Sequence, residues 1–314
     1  MRLAMIWMAF LFFTAPALAQ LPSAAESWRR LWSEPASFTF AEAGVMPKSP
    51  RTLLKWEVGT DAENGEEDQG EIEFQADRPD FTEASRTVGR GRVQIETGYT
   101  FTRDRRDGVT TRSSSFPEAL FRIGMFADWF EFRFQQNFAS LSRSGPTGER
   151  FTASGAEDLY LGVKLWLVEQ RGIFPEVAIQ LQGTVPTGSR DFTANQVLPG
   201  INLLYGWDII KDAWTAGGSL VVSRAVDETG HTYLELATSF TFGFDLTAKL
   251  GAYTEWYVIA PSGAVQPGLT AQHYFNGGFT YKVTPDFQLD IRAGVGLSRQ
   301  ADDFFMGAGL VYRF

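Results

Sequence analysis

The chain has 314 residues, a formal net charge of -9 and no cysteine, so disulfide frameworks and thiolate metal sites are excluded and nucleic acid is an unsuitable partner. Mean hydropathy is -0.14, and beyond the first residues no apolar run is long enough to cross a bilayer as a helix. That excludes a helical membrane protein but not a barrel, whose alternating strands average out in any hydropathy window.

Residues 1–19 read as a secretory signal peptide. Arg2 supplies a positive start, Leu3 to Phe13 is apolar, and Ala17-Leu18-Ala19 is a small-x-small cleavage site that leaves Gln20 first in the mature chain. Residues 20–90 keep no period and read as an N-terminal periplasmic, plug-like segment. A short helix is predicted around Ser23 to Trp32, then Pro-punctuated stretches, then an acidic run from Asp61 to Glu73. That run reads as a solvated linker; a calcium loop would need the regular ligand spacing of an EF-hand, which is missing.

From Gly91 the period becomes two and holds to the end, which makes 91–314 a transmembrane antiparallel β-barrel in an all-β chain. Phe130, Phe132, Phe134 and Phe138 alternate with Glu131, Arg133, Gln135 and Asn137; Leu289, Ile291, Val295 and Leu297 alternate with Asp290, Arg292, Gly294 and Gly296. About twelve strands are predicted: 91–103, 115–126, 130–139, 157–168, 174–185, 197–207, 213–224, 231–243, 247–259, 270–282, 286–298 and 304–314. Short turns are placed at Ala127-Asp128, near Phe244-Asp245 and at Thr284-Pro285, and longer polar loops at 104–114, 140–156, 186–196 and 260–269. Short periplasmic turns alternating with longer outer loops are the outer-membrane pattern, and an even strand count leaves both termini in the periplasm. A soluble sandwich would carry Lys, Glu and Asp on its polar face, whereas this one is mostly Gly, Ser, Thr, Gln and Asn. The last strand sets Phe314, Tyr312, Leu310, Ala308 and Met306 on one face and Arg313, Val311, Gly309 and Gly307 on the other. Tyr312 and Phe314 are therefore read as the signal recognised by the barrel-assembly machinery.

Asp77-Arg78-Pro79-Asp80-Phe81-Thr82-Glu83 followed by Gly91-Arg92-Val93-Gln94-Ile95-Glu96-Thr97-Gly98-Tyr99 resembles the opening of a family of outer-membrane barrels described as "putative MetA-pathway of phenol degradation". Further likeness lies in Leu181 to Ser189, Glu255-Trp256-Tyr257, Gln288-Leu289-Asp290, Gly294 to Leu297 and Gly307 to Leu310. The resemblance covers roughly residues 75–314 and implies uptake of aromatic or other hydrophobic compounds through the outer membrane, with no catalytic residues to carry over.

Lumen-facing charges are the candidate solute path, because interior positions tune selectivity. A two-residue turn at Ala127-Asp128 would set Arg122 opposite Arg133 and Glu131 opposite Gly124, making one cluster. The same alternation places Lys164, Glu235, Lys249, Glu255, Asp290 and Arg292 on the wall, with Tyr253 and Tyr257 flanking Glu255. Two arrangements fit the charges: pairing across a filled lumen, or a constriction that steers polar ends of a solute. The tyrosines either fill space or offer a stacking surface. Inward Gly294, Gly296, Gly307 and Gly309 suggest close approach by another backbone, with residues 20–90 the candidate. Twelve tilted strands give a backbone diameter of roughly 24 Å and an opening of about 10 Å or less.

With only His231 and His273, a histidine-rich metal site is excluded, and His273 lacks a facing Ser for a lipase-like pair, so no enzyme, metal or cofactor is expected. The expected role is passage of small hydrophobic or aromatic solutes across a bacterial outer membrane, with membrane lipid as surroundings. A narrow general porin for polar solutes and a closed structural or adhesion barrel are the alternatives, and the oligomeric state is not legible.

Overall fold

The computed structural model describes residues 74–314. The expected signal peptide, the helix near Ser23 to Trp32 and the acidic run 61–73 lie outside the described residues.

Strict alternation produces the strands. They are β1 (Val93–Arg106), β2 (Val109–Gly124), β3 (Phe130–Ser144), β4 (Arg150–Ala156), β5 (Leu159–Val168), β6 (Glu176–Val185) and β7 (Leu198–Ile210). The remainder are β8 (Trp214–Val226), β9 (Thr232–Asp245), β10 (Leu250–Ser262), β11 (Gln272–Thr284), β12 (Phe287–Gly296) and β13 (Phe304–Arg313). Neighbours pair antiparallel, and β1 pairs with both β2 and β13, so the sheet closes on itself. Closure pairs each wall strand on both sides, the condition for strands to cross hydrocarbon, and among the described strands leaves only β4 with an open edge. The last residue takes part in the seam: Phe314 N donates to Val93 O at 2.8 Å.

Twelve strands form the wall and β4 is extra. It pairs only with the upper part of β3, while β5 pairs with the lower part of β3 and with β6. The break falls at Glu157-Asp158, where the Asp158 carboxylate accepts the Gly188 and Ala194 N–H groups, both at 2.9 Å. Two stretches expected as loops are therefore largely strand. In 104–114 only Asp107-Gly108 turns, both at positive φ (51° and 81°), a two-residue hairpin of the Asp-Gly kind. In 140–156 only 145–149 connects β3 to β4. Hairpins that continue the ladder spare their polar backbone from water, which a loop of equal length could not do. A bulge between Ser115 and Glu118 in β2, at Phe116-Pro117, marks the base of this extension; proline cannot donate to the ladder there.

The two faces have inverted chemistry. Gln94, Glu96, Arg122, Glu131, Lys164 and Gln180 are fully buried inside, while Phe279, Ile291 and Met306 are about half exposed outside. In β13, Val311 and Arg313 are buried and Leu310, Tyr312 and Phe314 face outward. Residues 74–92, which precede β1, lie within the barrel, as their bonds to β1, β2, β3, β5, β10 and β12 require.

Candidate lumen site

The site is built where residues 74–92 meet the inner wall. Alternation points Glu96 of β1, Arg122 of β2, Glu131 and Arg133 of β3 and Lys164 of β5 at one another. The register aligns Arg122 with Arg133 and Gly124 with Glu131 across β2–β3, although the turn between them spans 125–129. Arg122 Nε donates to Glu131 Oε1 at 2.9 Å, and its Nη1 lies 3.1 Å from Glu96 Oε1.

Asp77 occupies the centre. Its carboxylate is 2.6 Å from Arg133 Nη2, 3.3 Å from Arg122 Nη1 and 3.2 Å from Lys164 Nζ, and it accepts the Ala84 N–H at 2.9 Å. Burial opposes ionisation of Asp77, but Arg122, Arg133 and Lys164 overcome that and hold the carboxyl well below the usual carboxylate range. Glu96 in turn accepts the Asp77 and Arg78 backbone N–H groups, at 3.0 and 2.9 Å. Glu131 accepts Val88 N at 2.9 Å, and the Arg122 guanidinium donates to Arg86 O and Gln75 O, both at 2.9 Å. Glu96, Arg122, Glu131 and Arg133 therefore have partners on the segment as well as on the wall, while Lys164 reaches the segment through Asp77 and Ala84 O.

A second group of contacts fixes the other side. Arg78 reaches Glu118 at 2.8 Å and Asp290 at 3.4 Å, and its guanidinium lies against Gly98 and Gly309, where any Cβ would collide with it at 2.3 Å. Glu255 accepts Phe81 N at 2.8 Å, Thr82 N at 2.7 Å and Asn276 Nδ2 at 2.7 Å. Arg292 donates to Pro79 O at 2.7 Å and to Thr100 Oγ1 at 2.9 Å. Tyr253 donates its hydroxyl to Asn276 Oδ1 at 2.7 Å. Tyr257 stacks face to face on Phe81 at 4.3 Å and on Tyr274 at 4.8 Å. Arg86 meets Glu176 at 2.5 Å near the opposite wall.

Two expectations are corrected. Lys249 shares the inward parity of Tyr253 and Glu255, but it lies in the turn before β10 and is exposed, because β9 and β10 end at Asp245 and begin at Leu250. Among the four glycines, only Gly309 meets the described part of the N-terminal segment; Gly294 abuts Phe305, Gly296 abuts Ala301 and Asp302, and Gly307 abuts Tyr99. The closest backbone approach is instead at Gly124, where a Cβ would stand 1.6 Å from Gly89 O. Glu235 lies apart from the cluster, half-buried, with Tyr233 Oη at 3.5 Å.

Two cavities flank the described part of the segment. One, of about 410 Å³, is lined by Phe81, Glu96, Glu118, Leu120 and Gln135; the other, of about 300 Å³, by Tyr205, Trp207, Phe244, Tyr253 and Gln288. Arg78, Pro79, Asp80 and Glu83 belong to both linings, so the segment is their common wall. The open bore of about 10 Å expected from strand number is thus occupied. Sequence reasoning missed the inward residues of this segment: Asp77, Arg78, Phe81 and Glu83 stood in a motif quoted for its resemblance, and three acids and an arginine within seven residues beside an arginine-bearing wall were the available signal.

A family model described as "Putative MetA-pathway of phenol degradation" matches residues 76–314. Among solved structures, an outer membrane channel from Pseudomonas putida superposes with a TM-score of 0.58 at 13% identity, covering 73% of this chain and 98% of that one. The NanC porin (TM-score 0.44, 11% identity, 70% and 98% covered) and the translocator domain of the autotransporter NalP from Neisseria meningitidis (0.47, 13%, 71% and 88%) share the barrel architecture more loosely. A comparison with curated proteins finds no match.

Proposed function

The chain belongs to the phenol-degradation MetA-pathway family, and on that premise we propose that it is an outer-membrane channel passing small hydrophobic or aromatic solutes, with residues 74–92 as its gate. The observation that carries this reading is the stack of Phe81 on Tyr257 on Tyr274. Phe81 comes from the segment and lines the larger cavity; the tyrosines come from the wall. An aromatic pair is worth about 0.5–1.5 kcal/mol beyond its buried area. A solute ring taking the place of Phe81 on Tyr257 recovers that term, so exchange of one ring for the other is nearly neutral. Polar groups around the stack (Asn276, Glu255, Arg292) are engaged with one another or with the segment and leave the ring faces as the apolar surface on offer.

The second reading, a narrow channel for polar solutes, is favoured by Asp80, Glu83, Glu118 and Arg292 in the cavity lining. Reconstitution distinguishes them. The aromatic route predicts faster uptake of a neutral aromatic compound into liposomes than protein-free liposomes allow, reduced by Tyr257→Ala, with little ionic current in a planar bilayer. A large steady current with no gain in aromatic uptake would replace it with the polar channel. Neither signal would leave a closed barrel.

A further inference from the structure

The outward face of the β1–β4 extension departs from the rest of the barrel. Strand register puts directly opposed residues on one face, and on β1 that face runs Tyr99, Phe101, Arg103, Arg105. In register with Phe101 it continues as Ser114, Ser140 and Ser154. One step higher the row is Arg103, Arg112, Ser142, Thr152, and above it Arg105, Thr110, Ser144, Arg150. The four arginines are exposed, and among the described residues none has an ion-pair partner within 4 Å. Asp104, the acid in the upper part of this strand, points to the other face and pairs with Arg106 at 3.2 Å. Asp303 accepts the backbone N–H of Arg105 at 2.9 Å.

Height fixes what this face meets. On β13, Tyr312 and Phe304 bracket the outward apolar strip, and Phe304 lies opposite Arg103. Between them the wall rises roughly 21 Å, at about 3.4 Å per residue and a tilt near 40°, close to the ~25 Å apolar band of such barrels. Arg103 therefore stands at the outer headgroup level with Arg105 about 5 Å above it, and because neighbouring strands are offset by about 3 Å along the membrane normal at this tilt, the rows slant across that layer rather than lie level. Arg103 and Arg112 are direct cross-strand partners, an arrangement in which like charges repel. An anion between them removes that repulsion, and guanidinium forks match phosphate oxygens in bidentate fashion. Serine and threonine hydroxyls around the arginines supply the donors and acceptors that sugar hydroxyls need.

We propose that the outward face of the β1–β4 extension is a docking surface for the phosphorylated glycolipid of the outer leaflet, its phosphates held by Arg103, Arg112, Arg105 and Arg150 and its sugars by the hydroxyl rows. This is independent of what passes through the lumen.

The test uses the full-length protein purified from membranes in mild detergent, with bound lipid read by native mass spectrometry. The probes are diphosphorylated lipid A, its dephosphorylated form, phosphatidylglycerol and inorganic phosphate. Wild-type protein should retain diphosphorylated lipid A about tenfold or more better than the dephosphorylated form, and the Arg103→Gln, Arg105→Gln, Arg112→Gln, Arg150→Gln variant should lose that preference. If that variant does not reach its heat-modifiable folded form, Arg103→Gln with Arg112→Gln should show a partial loss. Equal retention by wild type and folded variant overturns the proposal. So does equal retention of phosphatidylglycerol, or full displacement by millimolar inorganic phosphate, which would make the face a simple anion site.

Discussion

Replacing Asp77 by Asn tests whether lumen charges hold the segment in place. Asp77 lies within 3.3 Å of Arg122, Arg133 and Lys164, and all three cations are buried. Removing one partner of a buried ion pair costs about 3–5 kcal/mol. Here the cations keep Glu131, Glu96 and Glu83, and an Asn oxygen can still accept the Ala84 N–H, so the lower figure of about 3 kcal/mol applies. Asp77 precedes β1 and makes no ladder bond, so the cost falls on docking of the segment rather than on the barrel. At 1.4 kcal/mol per tenfold, about 3 kcal/mol raises the undocked population roughly a hundredfold. Trypsin cleavage after Arg86 and Arg90 should accelerate by up to that factor, channel openings should become more frequent, and heat-modifiable migration should not change. Glu83→Gln is the control: Glu83 is partly exposed and stands at 3.3 and 3.9 Å from Arg133 and Lys164, so its effect should stay below about 1 kcal/mol. If Asp77→Asn is as protease-resistant as wild type, or no worse than Glu83→Gln, the segment is held by something other than these charges.

The same site gives a signed pH dependence. A carboxylate with a depressed folded pKa contributes stability that is present above its unfolded value, near 3.9, and is lost as pH falls through the folded value. Asp77 should thus keep the segment docked at neutral pH and in mild acid, releasing it only in strong acid. Asp80 has the opposite sign: burial, then Glu255, push its carboxyl up, so protonation as pH falls removes a penalty and favours docking. Protease resistance should rise slightly on mild acidification before it collapses, and Asp77→Asn should lack the collapse.

Three further outcomes are expected. Deleting Phe314, or Phe314→Asp, should abolish outer-membrane levels by preventing assembly, measured by fractionation; a mere interfacial aromatic would cost only about 1–3 kcal/mol and leave the protein in the membrane. Gly124→Ala places a methyl 1.6 Å from Gly89 O, so it should expose Arg90 and Arg92 to trypsin while the barrel still migrates as folded. In the β8–β9 loop, the Thr229 hydroxyl, against the opposing effect of burial, and the N–H groups of His231, Thr229 and Gln266 hold Asp227 down to about 2. Hydrogen exchange of that loop should therefore stay slow above pH 4 and speed up toward pH 2, a dependence that Asp227→Asn abolishes.

The barrel was legible because lipid on one side and a filled lumen on the other impose a period of two that nothing in a bilayer can override. Register was legible at Arg122 and Arg133, where a short turn leaves one parity that buries both. Strand length was not: Arg105 and Arg112 read as loop residues and Arg103 as the end of its strand, since polar residues facing water above the bilayer carry no apolar period. The Asp107-Gly108 turn was the missed cue, for Asp-Gly takes two consecutive positive φ values readily. Lys249 failed for a related reason, because parity assigns a face but does not say where the strand ends. The segment 74–92 was invisible to periodicity altogether: it has no ladder of its own, and its order comes from side chains and N–H groups bonded to a wall it meets only after folding.

That dependence constrains how the lumen can work. A wall cation such as Arg133 cannot be both a free selectivity charge and a partner of Asp77 at 2.6 Å. Glu255 likewise cannot greet a solute while it accepts two backbone N–H groups of the segment. The wall charges therefore act on a solute only when the segment leaves, and the cost of leaving is the strength of these same pairs. Under the proposed function, selectivity and gating are then one quantity read twice: strengthening the anchors narrows the time the path is open, and weakening them exposes a strongly polar bore that no longer favours an aromatic solute. Phe81 escapes the conflict. Turning its side chain gives up one ring contact on Tyr257 while its N–H stays on Glu255, so a small side-chain shift at Phe81, with Asp77 still anchored, is the least costly way to open an apolar passage in the proposed route.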